Sequence, residues 1–218
     1  WSTNFDLFRI NADGSGTPIN LTVTNPAWDT TPVFSADGKT LYYRATTRPG
    51  FEADRFGLRA LELASRKLQQ IAANWDRSAD GISLSEDGKT LFTTAQDMGQ
   101  HPLFGIDLGT EQVRKVVGEG TVSAFDIAGN SLAFTRNTLQ SGDQVFTTTL
   151  AGEPLRAITP STSERLPDVA MGASQQFSFK GWNGETVHGF VVKPWDFEEG
   201  KTYPVAFLIH GGPQGSFG

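Results

Sequence analysis

The sequence contains no cysteine. That excludes a disulfide framework and any thiolate site, and it leaves the compartment open between periplasmic or secreted and cytoplasmic. No apolar run approaches the ~20 residues of a membrane-spanning helix. Positive charge is not in excess either. The formal net charge is −6 and the pI near 5.0, which gives no support to nucleic-acid binding. Only 3 histidines occur, and their spacing suggests no metal site, so neither a metal nor another cofactor is expected. The chain opens on Trp1 with neither an initiator methionine nor a signal sequence before it, as expected of a piece of a longer or processed protein. A Gly-x-Ser-x-Gly nucleophile elbow is also missing. The nearest approach, Gly215-Ser216-Phe217-Gly218, has Gln214 where the first glycine belongs, so Ser216 is no candidate nucleophile.

What is present is a repeat. Thr31-Pro-Val-Phe-Ser-Ala-Asp37-Gly38-Lys39-Thr40-Leu41 returns as Gly81-Ile-Ser-Leu-Ser-Glu-Asp87-Gly88-Lys89-Thr90-Leu91, with the Asp-Gly pairs 50 residues apart. A weaker copy runs from Val122 through Gly129-Asn130 to Phe134. Each copy reads as a strand, a tight glycine turn that needs positive φ, and a second strand. Two further strand-like runs follow each hairpin. After the first come Phe56 to Leu63 and Leu68 to Ala72; after the second, Leu103 to Leu108 and Val113 to Val117; after the third, Val145 to Leu150 and Leu155 to Ile158. Four strands in about 40–50 residues is the period of a β-propeller blade. Residues Phe5 to Ile10 and Thr17 to Thr22, joined by Asp13-Gly14, read as half of an earlier blade. A β-sandwich is the alternative, but sandwiches lack such self-similarity.

The pattern breaks between Thr159 and Ala173, in a linker-like stretch with Pro160 and Pro167. A hairpin follows, Gln175 to Lys180 and Val187 to Lys193, turned at Trp182-Asn183-Gly184. A continuous apolar run, Val205 to Ile209, then leads into His210-Gly211-Gly212-Pro213. A buried strand delivering a glycine-rich turn is how an α/β-hydrolase presents backbone N–H groups to a developing oxyanion. The expected fold is therefore mainly β: a partial β-propeller of about three and a half blades over residues 1–172, then the first strands of an α/β-hydrolase domain over 173–218.

The Ser-Ala-Asp-Gly-Lys-Thr-Leu blades, the Phe-Ser-Phe-Lys-Gly-Trp-Asn-Gly-Glu-Thr hairpin, and Tyr203-Pro-Val-Ala-Phe-Leu-Ile-His-Gly-Gly-Pro213 together resemble the prolyl oligopeptidase family of serine peptidases. The resemblance is to its acylaminoacyl-peptidase and dipeptidyl-peptidase 5 branch and covers essentially the whole chain. It implies a propeller capping a hydrolase that cleaves short peptides. It implies too that the Ser-Asp-His triad lies beyond this chain, in a carboxy-terminal segment that partners it, so the chain alone should not turn over substrate. Homo-oligomers are compatible with it. A non-enzymatic propeller scaffold, as in periplasmic assembly proteins, is the competing function. Such a scaffold has no need of the segment from Gln175 onward.

Two sets of candidate site residues emerge. Gly211 and Gly212 are candidate oxyanion donors through their backbone N–H groups, against the plain reading of a strand-to-loop turn. In other branches of the resembled family a tyrosine hydroxyl serves where His210 stands, so here the backbone would carry the task. His101 and His188 read as packed or solvent-facing side chains. The loop Arg48-Pro-Gly-Phe51-Glu52-Ala-Asp54-Arg55 interrupts the first complete blade. Ordinarily such a charged loop is solvated surface. The alternative is a clamp for a peptide's free amino terminus, with Glu52 and Asp54 turned the same way by an extended loop and Phe51 walling the site.

Overall fold

A computed structural model describes residues 3–211. Among the described residues sixteen strands form, joined by little helix. The half-blade is slight: β1 (Phe8–Arg9) pairs with β2 (Ile19–Asn20), shorter than the runs of alternating residues predict. Three four-stranded antiparallel sheets of consecutive strands follow. Blade 1 is β3 (Asp29–Phe34), β4 (Thr40–Ala45), β5 (Gly57–Glu62) and β6 (Leu68–Ile71). Blade 2 is β7 (Ile82–Leu84), β8 (Thr90–Thr94), β9 (Leu103–Asp107) and β10 (Val113–Val117). Blade 3 is β11 (Thr121–Ala128), β12 (Ser131–Thr138), β13 (Ser141–Thr149) and β14 (Arg156–Ala157). The four-strand period thus holds three times, and the chain is a partial propeller.

The repeated Asp-Gly turn explains its own sequence. Asp37 Oδ1 accepts bonds from the Ser35 hydroxyl and the Lys39 N–H, while Ser35 Oγ accepts from the Thr40 N–H. Ser85, Asp87, Lys89 and Thr90 repeat all three bonds. Gly38 and Gly88 sit at φ 68° and 69°, where a Cβ is costly. The serine hydroxyl, and next the lysine N–H, hold both aspartates below the ordinary carboxylate range.

The structure divides into two compact units. One runs to Ala95 and takes in Leu103–Lys115; the other holds Gln96–Pro102 and what is described from Val116 onward. In the first unit, period-two alternation sorts β4 between two cores. Leu41, Tyr43 and Ala45 pack with Leu21 of the half-blade and Leu61 of β5, whereas Tyr42 packs in a second core with Leu58, Ile71, Ile82, Leu91 and Ile106. Leu91 stands in its blade where Leu41 stands in the one before. The first two repeats therefore bury the same leucine against the strands that precede them, a side chain whose burial is worth ~1.5–3 kcal/mol.

In the second unit, Val122, Leu132, Phe134 and Phe146 form the buried centre of blade 3, with the last two rings stacked at 5.5 Å. The stretch 159–173 holds a one-turn helix, α1 (Thr162–Arg165), under a Ser161/Glu164 capping box that the linker reading does not predict. The hairpin forms as β15 (Ser174–Lys180) and β16 (Thr186–Val192). It meets the loop before Leu103 at two points: Gln176 Nε2 donates to Met98 O at 2.6 Å, and the Phe190 ring lies over Gly99.

The expected buried strand from Val205 to Ile209 does not form. Residues 201–211 carry no regular structure, and Val205 and Ile209 are 87% and 77% exposed. A strand needs a hydrogen-bonded neighbour, and among the described residues nothing pairs with this segment.

Candidate functional site

The loop of Phe51, Glu52 and Asp54 leaves the end of β4 and returns to β5. It is turned rather than extended: Phe51 N–H donates to Arg48 O at 3.3 Å and Asp54 N–H to Phe51 O at 3.1 Å. The two carboxylates therefore have different tasks. Asp54 Oδ2 accepts from the Thr47 N–H at 2.7 Å, the Thr47 hydroxyl at 3.2 Å and the Arg48 N–H at 2.8 Å. Partial burial opposes its ionisation, but these donors outweigh burial and hold its pKa below the usual range. Asp54 thus orders the loop. Glu52 is exposed, and its carboxylate makes no hydrogen bond or ion pair among the described residues. Phe51 is half open, with the Arg48 guanidinium 3.9 Å over its ring.

Gly211 is the last described residue; it is exposed and outside any strand. Its backbone is uncrowded, with open space where a Cβ would stand. Gly212 lies outside the described residues. His210, just before, is exposed. His101 Nδ1 lies 3.0 Å from Val122 O, which is a packing role, and His188 is exposed in mid-strand. Among the described residues no three His, Asp or Glu side chains gather to hold a metal, and no helix is long and apolar enough to cross a membrane. A cleft of about 80 Å³ in the second unit, lined by Gln100, Glu119, Thr138, Gln140, Ser174 and Phe190, has room for a few waters but not for a peptide.

Two polar groups in the first unit have no single-residue signature in the sequence. Asp29, at the start of β3, is 2% exposed; Oδ1 accepts from Asn25 Nδ2 at 3.0 Å, while Oδ2 has no hydrogen-bond partner among the described residues. Burial pushes its pKa up to about 6, against the Asn25 bond and the nearby Thr22 hydroxyl; Asp6 adds to the rise and Arg59 opposes it. Arg44, in β4, donates Nε to Thr31 Oγ1 at 3.0 Å and Nη1 to Ala79 O at 2.7 Å, and its guanidinium lies 4.5 Å from the Phe56 ring centroid. These partners converge through a β-bulge and a distant loop, which sequence spacing does not reveal.

No protein-family model matches the chain. Curated relatives do. The chain is 35% identical over 201 residues to a probable dipeptidyl-peptidase 5 of Trichophyton verrucosum, covering 86% of this chain and 27% of that protein. It is 36% identical over 194 residues to the dipeptidyl-peptidase 5 of Arthroderma otae, with the same coverage of 86% and 27%. The chain thus spans about a quarter of the length of the curated relatives it matches. Among solved structures, the Pyrococcus horikoshii acylaminoacyl peptidase superposes with a TM-score of 0.75 at 18% identity, over 97% of this chain and 31% of that one. TolB of Acinetobacter baumannii superposes with a TM-score of 0.52 at 14% identity, over 83% of this chain and 44% of that one. At such identities the structural likeness shows the fold alone. Its blades are shared by a peptidase and by TolB, whereas the sequence identity runs to peptidases. By the repeat, the hairpin and these relatives together, the chain is similar to the serine peptidases of the prolyl oligopeptidase family.

Proposed function

We propose that the longer protein is a serine peptidase of the dipeptidyl-peptidase or acylaminoacyl-peptidase type, acting on short peptides, and that this chain supplies part of its propeller and its oxyanion loop. The observation that carries this reading is the 35% identity to a probable dipeptidyl-peptidase 5 over 86% of the chain. The boundary between propeller and hydrolase falls near residue 172, after the last blade and before β15. The chain's partners in this reading are a peptide substrate and the rest of the hydrolase domain, which brings the triad.

Within the site, Glu52 takes the substrate's free α-ammonium by a charge-assisted hydrogen bond. Its exposure, and the absence of a hydrogen-bond or ion-pair partner among the described residues, support that role over Asp54's. Asp54 and Phe51 shape the loop that presents it. The N–H groups of Gly211 and Gly212 face the developing oxyanion once the segment from Val205 onward is ordered as a strand; one such donor is worth roughly 3–4 kcal/mol of barrier.

The test is hydrolysis by the full-length protein. Dipeptidyl chromogenic substrates with a free amine should be cleaved, and a serine-directed phosphonate should abolish turnover. The 218-residue chain by itself should be inactive. Full-length protein that cleaves neither free-amine nor N-acylated peptides would instead favour the propeller scaffold.

A further inference from the structure

The repeat supplies a control for Arg44. Aligning the three blades on Leu41, Leu91 and Leu132, all buried, places Arg44 level with Thr94 and Thr135. Blade architecture is therefore satisfied by a threonine at this position twice. The arginine is an addition, and the surroundings of blade 1 are altered to hold it.

Three features do the holding. The ladder between β3 and β4 is broken by a register shift between Thr30 and Val33; blade 3 has a shift at the matching place, between Val122 and Ala124, but in blade 1 alone a residue inside it, Thr31, sits at positive φ, 55°. For a β-branched residue that is a strained conformation, and such strain gathers where function over-determines the backbone. The bulge aims Thr31 Oγ1 at Arg44 Nε. From the loop before β7, Ala79 O takes Nη1. Beneath lies Phe56, which continues into Trp28 at 5.5 Å and then Phe5 at 4.6 Å, giving a guanidinium at the end of a row of rings. The side chain is only 20% exposed.

One edge of this fixed cation is unused. Nη2 makes no hydrogen bond among the described residues, and it is not sealed from solvent. Asp80 Oδ1 stands 3.5 Å from Nη1, at the outer reach of a hydrogen bond, and its own side chain is half open. An ion pair of that geometry leaves most of the guanidinium's charge available. A planar cation, pre-oriented, stacked on an aromatic ring and holding free N–H groups, suits a carboxylate.

We propose that Arg44 is a specificity-determining residue, binding a carboxylate of the peptide substrate through its free Nη2 edge. β4 leads from Arg44 straight into the loop of Glu52, so the two groups read opposite charges of one peptide. This rests on the peptidase reading. The carboxylate is either an acidic side chain or the peptide's own carboxy terminus, and the row of Phe56, Trp28 and Phe5 offers an apolar wall beside it.

The test is calorimetric titration of the full-length protein, inactivated with a serine-directed phosphonate, using three peptide probes. Ala-Phe-Glu-amide carries only the side-chain carboxylate, Ala-Phe-Gln only the terminal one, and Ala-Phe-Gln-amide neither. At least one carboxylate probe should bind about tenfold tighter than the neutral probe, and which one does so identifies the source. Arg44→Met should erase that preference and leave the neutral probe's affinity unchanged; Arg44→Lys should keep part of it. Equal affinity of the unmodified protein for all three probes would overturn the proposal, whatever the variants do. So would a preference that survives Arg44→Met, or a loss spread equally over the three probes. If Arg44→Met does not fold, Arg44→Lys and the unmodified protein decide. Should the peptidase reading fail, the probes survive intact without inhibitor, and the calorimetry still decides the role of Arg44.

Discussion

The paired blades of the first unit and the stretch after Thr202 use the same β-forming residues to opposite effect. In β8, Leu91 and Phe92 are 0% exposed; Phe207 and Leu208 are 80% and 77% exposed. Both β8 and residues 205–209 carry large apolar side chains and are free of strand-breaking residues. The difference is that Leu91 pairs across to β7 and β9 and packs onto the preceding blade, whereas residues 205–209 have no ladder among the described residues. Strand identity belongs to a pair of segments, and sequence apolarity only qualifies a segment for it. Equivalent mutations should therefore diverge. Leu91→Ala opens a cavity at the junction of two blades and should destabilise by ~2–5 kcal/mol in urea unfolding. Leu208→Ala in the same chain should shift stability by no more than ~0.5 kcal/mol. Equal losses would mean that the 205–209 segment is packed after all.

The first unit also buries a charge-capable group, and that makes its stability depend on pH. Asp29 has a folded pKa near 6, above the ~3.9 of an unfolded aspartate. The sign follows by linkage. Below pH ~3.9 both states hold the proton and the site costs nothing. Between ~3.9 and 6 the unfolded chain ionises while the folded one does not, so this contribution to stability falls as pH rises, and it is fully lost above 6. The total is on the order of 2–3 kcal/mol. Asp29→Asn keeps an oxygen for Asn25 and removes the titration. The variant should lose this slope between pH 4 and 6 and be the more stable protein at pH 7. An unchanged slope in thermal melts across that range would place the titration elsewhere.

How legible these regions were depends on how local their determinants are. Ser35, Asp37, Gly38, Lys39 and Thr40 bond within six residues, so the turn and its repeat could be read directly. The three blades followed from it. The Val205–Ile209 run reads as a buried strand from its apolarity, but apolarity does not encode a pairing neighbour, and among the described residues it has none. At the Phe51–Asp54 loop, the residue types were recognisable, but the bonds that set Asp54 apart from Glu52 were not. Asp54's bonds to Thr47 and Arg48 depend on a turn that alternation does not encode. Arg44 was the least visible, since Thr31 reaches it only through a register shift and Ala79 is 35 residues away.

In the second unit the hairpin depends on a glycine. Gly99 has φ 79°, and a Cβ there would run into the Phe190 ring of β16. Gly99→Ala must therefore pay in both backbone strain and overlap, ~1–3 kcal/mol together. Because Phe190 is on the hairpin, the loss should appear first as faster amide exchange in β15 and β16, with blade 3 protected as before. A uniform loss across blade 3 would mean that hairpin and blade melt as one.

The smallest effect is expected at the loop with the most exposed charge. A buried partner of a substrate ammonium would be worth on the order of 2–5 kcal/mol. Glu52 is not buried in this chain, so water screens it and the gain shrinks toward that of an exposed pair. Glu52→Gln in the full-length enzyme should raise KM for free-amine dipeptide substrates about two- to fivefold and spare N-acylated ones. Asp54→Ala provides the contrast. It leaves the Thr47 and Arg48 N–H groups without their acceptor and loosens the loop that carries Glu52, so it should weaken free-amine substrates while also lowering the loop's protection from exchange. Glu52→Gln should leave that protection unchanged. If both variants reduced both substrate classes alike, the loop would be structural and the ammonium would be bound elsewhere. A Glu52→Gln effect well beyond tenfold would mean that the loop closes over Glu52 when substrate is bound, removing it from water.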